Sequence, residues 1–228
     1  MTYGHKEGEL KQINIAGPDA ADGQKPMGRR ERRSIETREK IYRVALDLFA
    51  ERGFSATTVD AIAEEADIGK GTFFNYFENK ESILLQFGEI QLAKVGQFVA
   101  EYLLSDETLN TLIHRLATVI TSEQMKSPAL GQSLFTAIFS NNAIRLKMSE
   151  NIKQGRELLS RFIEKRQITG EIRSDLPAME IAGLFQMNIL GTMVLWSLAP
   201  DSILKEKVGY MADAFVEGIR TVKQSMSS

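Results

Sequence analysis

The residues most suggestive of chemistry lie in the run DIGKGTFFNYFENK, Asp67 to Lys80. A lysine flanked by glycines and followed by a threonine has the make-up of a phosphate-cradling loop, in which bare backbone N–H groups and an ammonium face the anion. The nucleotide-binding version needs Gly-x-x-x-x-Gly-Lys and then Ser or Thr. Gly69 does precede Lys70, but Glu64 stands where the first glycine belongs and Gly71 follows the lysine. No strand-like alternation leads into the run. The spacing rules out a nucleotide loop and leaves phosphates of another kind.

Other chemistries are thinly represented. The chain has 228 residues, 43% hydrophobic and 25% charged, with a formal charge of −2, so any polyanion would have to be met by a local patch rather than a global basic field. There is no cysteine, which excludes disulfides, thiolate catalysis and Cys-ligated zinc. His5 and His114 are far apart in sequence, a poor start for a metal site. No Gly-x-Ser-x-Gly elbow or dinucleotide loop is present, so neither an enzyme nor a cofactor or metal is expected. Without an apolar leader, a cytoplasmic location is the default expectation. The segment Ile181 to Ala199 has the length of a membrane span, yet Gln186, Asn188, Thr192 and Ser197 interrupt it and no basic flank follows. It reads as a helix covered on most sides, partly by a second subunit, and not as a span.

The elements that must position Asp67–Lys80 follow from periodicity. Residues 1–34 read as a disordered leader, Gly- and Pro-containing up to residue 26, ending in a basic stretch with Arg29, Arg30, Arg32 and Arg33. That stretch is either a solvated tail or an arm lying along DNA phosphates. From Thr37, Ile41, Val44, Ala45, Leu48 and Phe49 recur at spacings of three and four, which predicts a helix closed by Gly53. Thr57 offers an N-cap, with Asp60 three residues on, for a short second helix. A turn at Asp67–Gly69 leads to a third helix from about Lys70 to Phe77, and Asn79 caps a long fourth one. Helical spacing continues to the C-terminal region with no convincing period of two. The expected fold is all-α, about nine helices, with a helix-turn-helix domain over 35–82 and a further helical domain over 83–228, to which the resemblance described below assigns regulation and dimerisation.

Helix, tight turn, helix is the arrangement that places its second helix in the major groove of DNA. On the third helix Phe73 and Phe77 would pack inward with Ile68, leaving Lys70, Gly71, Phe74 and Asn75 outward and Thr72 and Tyr76 at the flanks. Asn75 offers a donor and an acceptor to a base edge, and Lys70 can donate to guanine or phosphate. The hydroxyls of Thr58, Thr72 and Tyr76 suit phosphate oxygens, and Lys80 and Arg38 are placed to clamp the backbone. Double-stranded DNA is the expected partner.

The run TREKIYRVALDLFAERGFSATTVDAIAEEADIGKGTFFNYFENKESILLQF, residues 37–87, closely resembles the DNA-binding domain of the TetR family of transcriptional regulators. The resemblance implies DNA contacts from Thr58, Lys70, Gly71, Thr72, Phe74, Asn75, Tyr76 and Lys80, with Val59 able to touch a base edge. Gly69 stands where the family usually has Ser, and Phe74 where Tyr is common. Both departures bear on which sequence is read, not on whether DNA is bound.

The remainder carries a weaker resemblance, implying a homodimer that encloses a small-molecule effector and releases DNA when it binds. Val208, Met211, Ala212, Phe215, Val216 and Ile219 form a stripe on the last helix, expected to pair with its neighbour across a two-fold axis. Phe98, Tyr102, Ile120, Phe135, Phe139, Phe162 and Phe185 are candidate effector contacts, though aromatics at helical spacing more often form core. Asn188 is a further candidate, because an amide in an apolar helix must find a partner in a ligand or a backbone group. The lining suggests a hydrophobic or amphipathic effector. The alternative is a DNA-binding activator or architectural protein with no small-molecule ligand.

Overall fold

The computed structural model describes residues 28–122, 127–200 and 203–221, and the leader before residue 28 lies outside the described residues. Among them are nine helices and no strand. They are α1 (Arg29–Arg52), α2 (Val59–Glu65), α3 (Lys70–Phe74), α4 (Glu81–Tyr102), α5 (Leu109–Thr121), α6 (Pro128–Ser140), α7 (Asn142–Ile168), α8 (Ala178–Leu198) and α9 (Leu204–Ile219). The stretch from Arg29 to Ser34, expected to be part of a disordered leader, forms the first turns of α1 and exposes its arginines to solvent. Glu31 in that first turn favours helix, because a carboxylate there meets the positive end of the helix dipole.

Gly53 ends α1 with φ 83° and ψ 155°. This is not the left-handed helical cap expected but a more extended conformation open essentially only to glycine. The bend lets the chain double back at once. Thr57 is then fully buried, its hydroxyl donating to the carbonyl of Gly53 at 2.8 Å. The residue that caps α2 is therefore Thr58, not Thr57, its side chain accepting from the Ala61 N–H at 3.1 Å. Asp67, at φ 51°, makes the turn into α3, a strained conformation that its short polar side chain tolerates better than most.

Two hydrophobic cores form. The first gathers Ile41, Phe49, Ile62, Phe73, Phe77, Ile83 and Phe87 from α1 to α4, together with Leu130, Leu134 and Ala137 of α6 and Ile144 of α7. The second lies among α4, α5, α7, α8 and α9 and includes Phe98, Leu112, Leu116, Phe162, Phe185, Val208 and Phe215. α4 contributes to both. The stripe on α9 assigned from sequence to a subunit interface is buried inside this second core, save Met211, which is partly buried against it. Sequence periodicity identifies a buried face but not whose residues bury it. Trp196 and the buried face of α8 also belong to this core, while α8 packs on α6, α7 and α9.

α4 packs most extensively on α7. The side chains of α7 crowd α4 at Gly88, where an added Cβ would lie 2.5 Å from Met148 Sδ and 2.8 Å from Asn151 Nδ2. Any side chain there forces the neighbours to shift. Gly88→Val is expected to destabilise the fold by about 1–3 kcal/mol through overpacking, read as a lower midpoint in urea unfolding.

Candidate nucleic-acid interface

The outward surface of α3 is set by what its other side buries. Phe73 is fully buried and Phe77 nearly so, their ring centroids 5.8 Å apart, and Ile68 is half-buried beside them. With these rings fixed inward, Lys70, Gly71, Phe74 and Asn75 are exposed, and Thr72 and Tyr76 are half-buried at the flanks. Phe74 is 49% exposed, a large aromatic surface turned to solvent next to an amide. α3 is shorter than expected. It ends at Phe74, with Asn75 as its C-cap and the Tyr76 N–H continuing into a turn through the Phe73 carbonyl at 2.9 Å. The inward and outward division expected from sequence survives the shortening, because the turn keeps near-helical backbone angles at Asn75.

Around this surface the polar groups are partly spoken for. Lys70 Nζ bonds both oxygens of Asp60 at 2.9 Å, a solvent-exposed pair linking the starts of α2 and α3. Such pairs are held weakly and open readily to a competing anion. Thr58 is exposed, and its oxygen accepts from α2 while its O–H is left to donate. Val59 is half-buried against the head core. Arg38 is exposed on α1; its Nε donates to Gln86 Oε1 at 3.0 Å and its guanidinium stands 5.3 Å from the Phe77 ring centroid. Lys80 differs from all of these: its ammonium donates to the carbonyls of Phe54, Ser55 and Thr57 at 2.8, 3.3 and 2.9 Å. The N-cap of α4 is Lys80 and not Asn79 as expected, but Asn79 Oδ1, one residue earlier, still accepts from the Ser82 N–H in the first turn at 2.9 Å.

Two partners of the interface escaped the sequence reading. Gln86 stands in the apolar run ILLQF and is almost fully buried, a polar residue whose position was itself a signal. Ser133 Oγ donates to the Phe49 carbonyl at 2.7 Å, seating α6 on the end of α1 across 84 positions of sequence, and nothing local announces it.

The candidate effector residues divide. Phe98, Phe162 and Phe185 are buried in the second core, with Phe98 and Phe162 edge-to-face at 5.6 Å. Tyr102, Ile120 and Phe135 pack against that core partly buried, and the Tyr102 hydroxyl accepts from Arg115 at 2.5 Å. Phe139 is 77% exposed at the end of α6 and lines no interior. Asn188 is exposed too, its amide donating to the Leu184 carbonyl of its own helix at 2.8 Å, so the backbone alternative is the one realised. An open cleft of about 470 Å³ lies by the α4–α5 loop and the end of α7. Its lining is polar, including Asp106, Glu107, Lys165, Arg166 and Glu171, and the last two form a 2.7 Å ion pair. It does not match the apolar lining expected for the effector.

A helix-turn-helix carrying an exposed aromatic, an amide and a lysine above a shared hydrophobic core defines a DNA-binding regulator. The family model described as bacterial regulatory proteins, tetR family, matches residues 41–87. The HTH-type transcriptional repressor KstR2 of Rhodococcus jostii (strain RHA1) is 30% identical over 185 residues, covering 77% of this chain and 89% of the relative. The HTH-type transcriptional regulator AcrR of Shigella flexneri is 26% identical over 78% of this chain and 86% of its own. Among solved structures, FadR from Bacillus subtilis in complex with stearoyl-CoA superposes with a TM-score of 0.67 at 22% identity, over 80% of this chain and 99% of that one. The chain belongs to the TetR family of transcriptional regulators.

Removing the carboxylate that competes for Lys70 should be felt by any polyanion. Asp60→Asn is expected to raise affinity for non-specific duplex DNA about two- to fivefold at low salt, measured by fluorescence anisotropy.

Proposed function

We propose that the protein is a homodimeric repressor that holds a palindromic operator and releases it when a hydrophobic or amphipathic effector enters the regulatory half. The observation that carries this reading is the surface of α3, where Lys70, Phe74 and Asn75 are exposed while Phe73 and Phe77 are locked inside. A reading surface anchored by buried rings is pre-organised, so little ordering cost opposes docking in the groove. Asn75 and Phe74 are assigned to base edges, the aromatic ring to a thymine methyl, and Thr58, Thr72, Tyr76 and Lys70 to phosphates and nearby edges. Gly71 gives the backbone its closest approach. Val59 and Arg38 complete the contact surface from α2 and α1. A DNA partner of this kind is consistent with a cytoplasmic regulator and calls for no catalysis.

The outer face of α8 supports the dimer. Leu184, Met187, Leu195 and Leu198 are exposed at spacings of three, eight and three, and so are Ile203, the N-cap of α9, and Tyr210 within it. Exposed apolar side chains in such a stripe belong in an interface. The last two helices thus remain the proposed contact, but through the opposite face of α9 from the stripe expected by sequence. Leu195→Glu is expected to yield monomer by analytical ultracentrifugation and, with only one half-site held, to lose most operator affinity.

The effector class draws support from the aromatic interior and from the stearoyl-CoA held by the Bacillus subtilis structure. Phe98, Phe162 and Phe185 fill their own space, so an effector entering among them has to displace rings. That displacement is the differential interaction that would bias α4 and with it the DNA-reading heads. The deciding experiment is selection of genomic fragments by purified protein, followed by release with a series of acyl-CoA thioesters. A palindrome released by a long-chain member is the expected outcome. A palindrome that none of them releases would favour the ligand-free reading, and no preferred fragment would sink the operator. Asn75→Ala should relax preference at one base pair of each half-site by about 1–3 kcal/mol, whereas Tyr76→Phe should weaken all sequences alike.

A further inference from the structure

Arg156 stands half-buried at the contact between α7 and α8 with its charge unmet. Its Nε donates to Gln186 Oε1 of α8 at 2.9 Å. The Gln186 amide is fixed in turn, its Nε2 donating to the Ile152 carbonyl, one turn back on α7, at 2.8 Å. The acceptor end of Gln186 is thereby turned toward Arg156. Two glycines let the clasp sit close to both helices. A Cβ on Gly183 would stand 3.6 Å from Arg156 Nε and 3.7 Å from Cζ, and one on Gly155 would stand 3.6 Å from Gln186 Nε2.

No carboxylate among the described residues pairs with Arg156, whereas Arg115, Arg166, Arg173 and Arg220 each hold one. A guanidinium carries five N–H donors in a planar fork, and the Gln186 bond uses one. The two Nη groups have no acceptor in the protein, and neither is sealed from solvent. Their fork matches the paired oxygens of a carboxylate or phosphate. A charge partly withdrawn from water, held in one orientation and given no counter-charge, costs free energy that an anion would offset.

The surroundings decide what else the anion carries. On the inward side of the same two helices, Leu159, Ala182 and Phe185 belong to the second core, and Leu158 packs against it. Phe185 and Gln186 are adjacent, so one residue of α8 faces the aromatic interior and the next orients the guanidinium. A molecule with its tail in that core and its head emerging between α7 and α8 brings the head to Arg156. An apolar site with one fixed polar group is how orientation and selectivity are set in most small-molecule pockets.

We propose that Arg156, oriented by Gln186, receives the anionic head of an amphipathic effector, a carboxylate or a phosphate, and so sets the sign of charge that the regulatory half accepts. This rests on the reading that such an effector enters the second core.

Probes of equal chain length that differ only in the head test the assignment: dodecanoate, dodecyl phosphate, dodecanol and dodecylamine. Each is titrated calorimetrically, below its micelle concentration, into the full chain without DNA. One or both anions are expected to bind about tenfold or more tighter than dodecanol, with dodecylamine weakest. The tighter of the two anions tells a carboxylate effector from a phosphate one. Arg156→Met keeps an unbranched stem and should bring the anions down to the affinity of dodecanol, leaving dodecanol itself unchanged. Gln186→Glu keeps the guanidinium but gives it an internal carboxylate, and should remove the same preference. Thermal unfolding reports the fold of both variants, so the second decides if the first misfolds. Dodecanol or dodecylamine bound by the wild type as tightly as the anions, or an anionic preference that survives in both variants, would overturn the proposal and leave the effector reading standing. Binding of none of the four probes would overturn both.

Discussion

The DNA-reading head cannot bury its own core, and the rest of the architecture answers that shortage. Its α2 has seven residues and α3 has five, too short to hold shape except by packing. Their apolar side chains share one core with α1 and the start of α4, and Leu130, Leu134 and Ala137 of α6, which packs on α1, extend that core together with Ile144 of α7. Those side chains come from the half of the chain that carries the regulatory core. A head finished by borrowed residues is stable only in the positions the lender allows. The short helices α2 and α3 thus depend on a core to which α1, α4, α6 and α7 all contribute.

α6 shows how tightly this loan is secured. On one side Ser133 reaches the Phe49 carbonyl of α1. Its two predecessors face α8: Gln132 donates to the Ser197 carbonyl at 2.5 Å, and an added Cβ on Gly131 would come within 3.2 Å of the Ser197 side chain. Three consecutive residues thus touch the C-terminal ends of both α1 and α8. α4 provides the covalent route between the cores, and α6 a packed one beside it.

What was legible in the sequence was whatever local patterns encode. The helical period of Ile41, Ala45, Leu48 and Phe49, the turn at Asp67–Gly69 and the inward pair Phe73 and Phe77 located the head and its outward surface. Single-residue errors arose where two neighbours were chemically equivalent, as with Thr57 and Thr58, and only the bend at Gly53 decides which hydroxyl is buried. Tertiary choices were illegible for a different reason. The stripe on α9 would look the same whether its own subunit or another covers it, and Phe139 has the same hydrophobicity as Phe135 although one is exposed and the other packed. The bonds of Lys80 were out of reach of local patterns as well, because the carbonyls that hold it are spread over a loop more than twenty residues away.

Gly88 leaves its space to α7. At that level the Met148 and Asn151 side chains stand where a Cβ would be, so any side chain at position 88 has to displace them. Met148 packs against the first core, whereas Phe98 and Phe162 belong to the second. The fit at this seam and the fit of the aromatic interior are therefore carried by different residues of the same pair of helices.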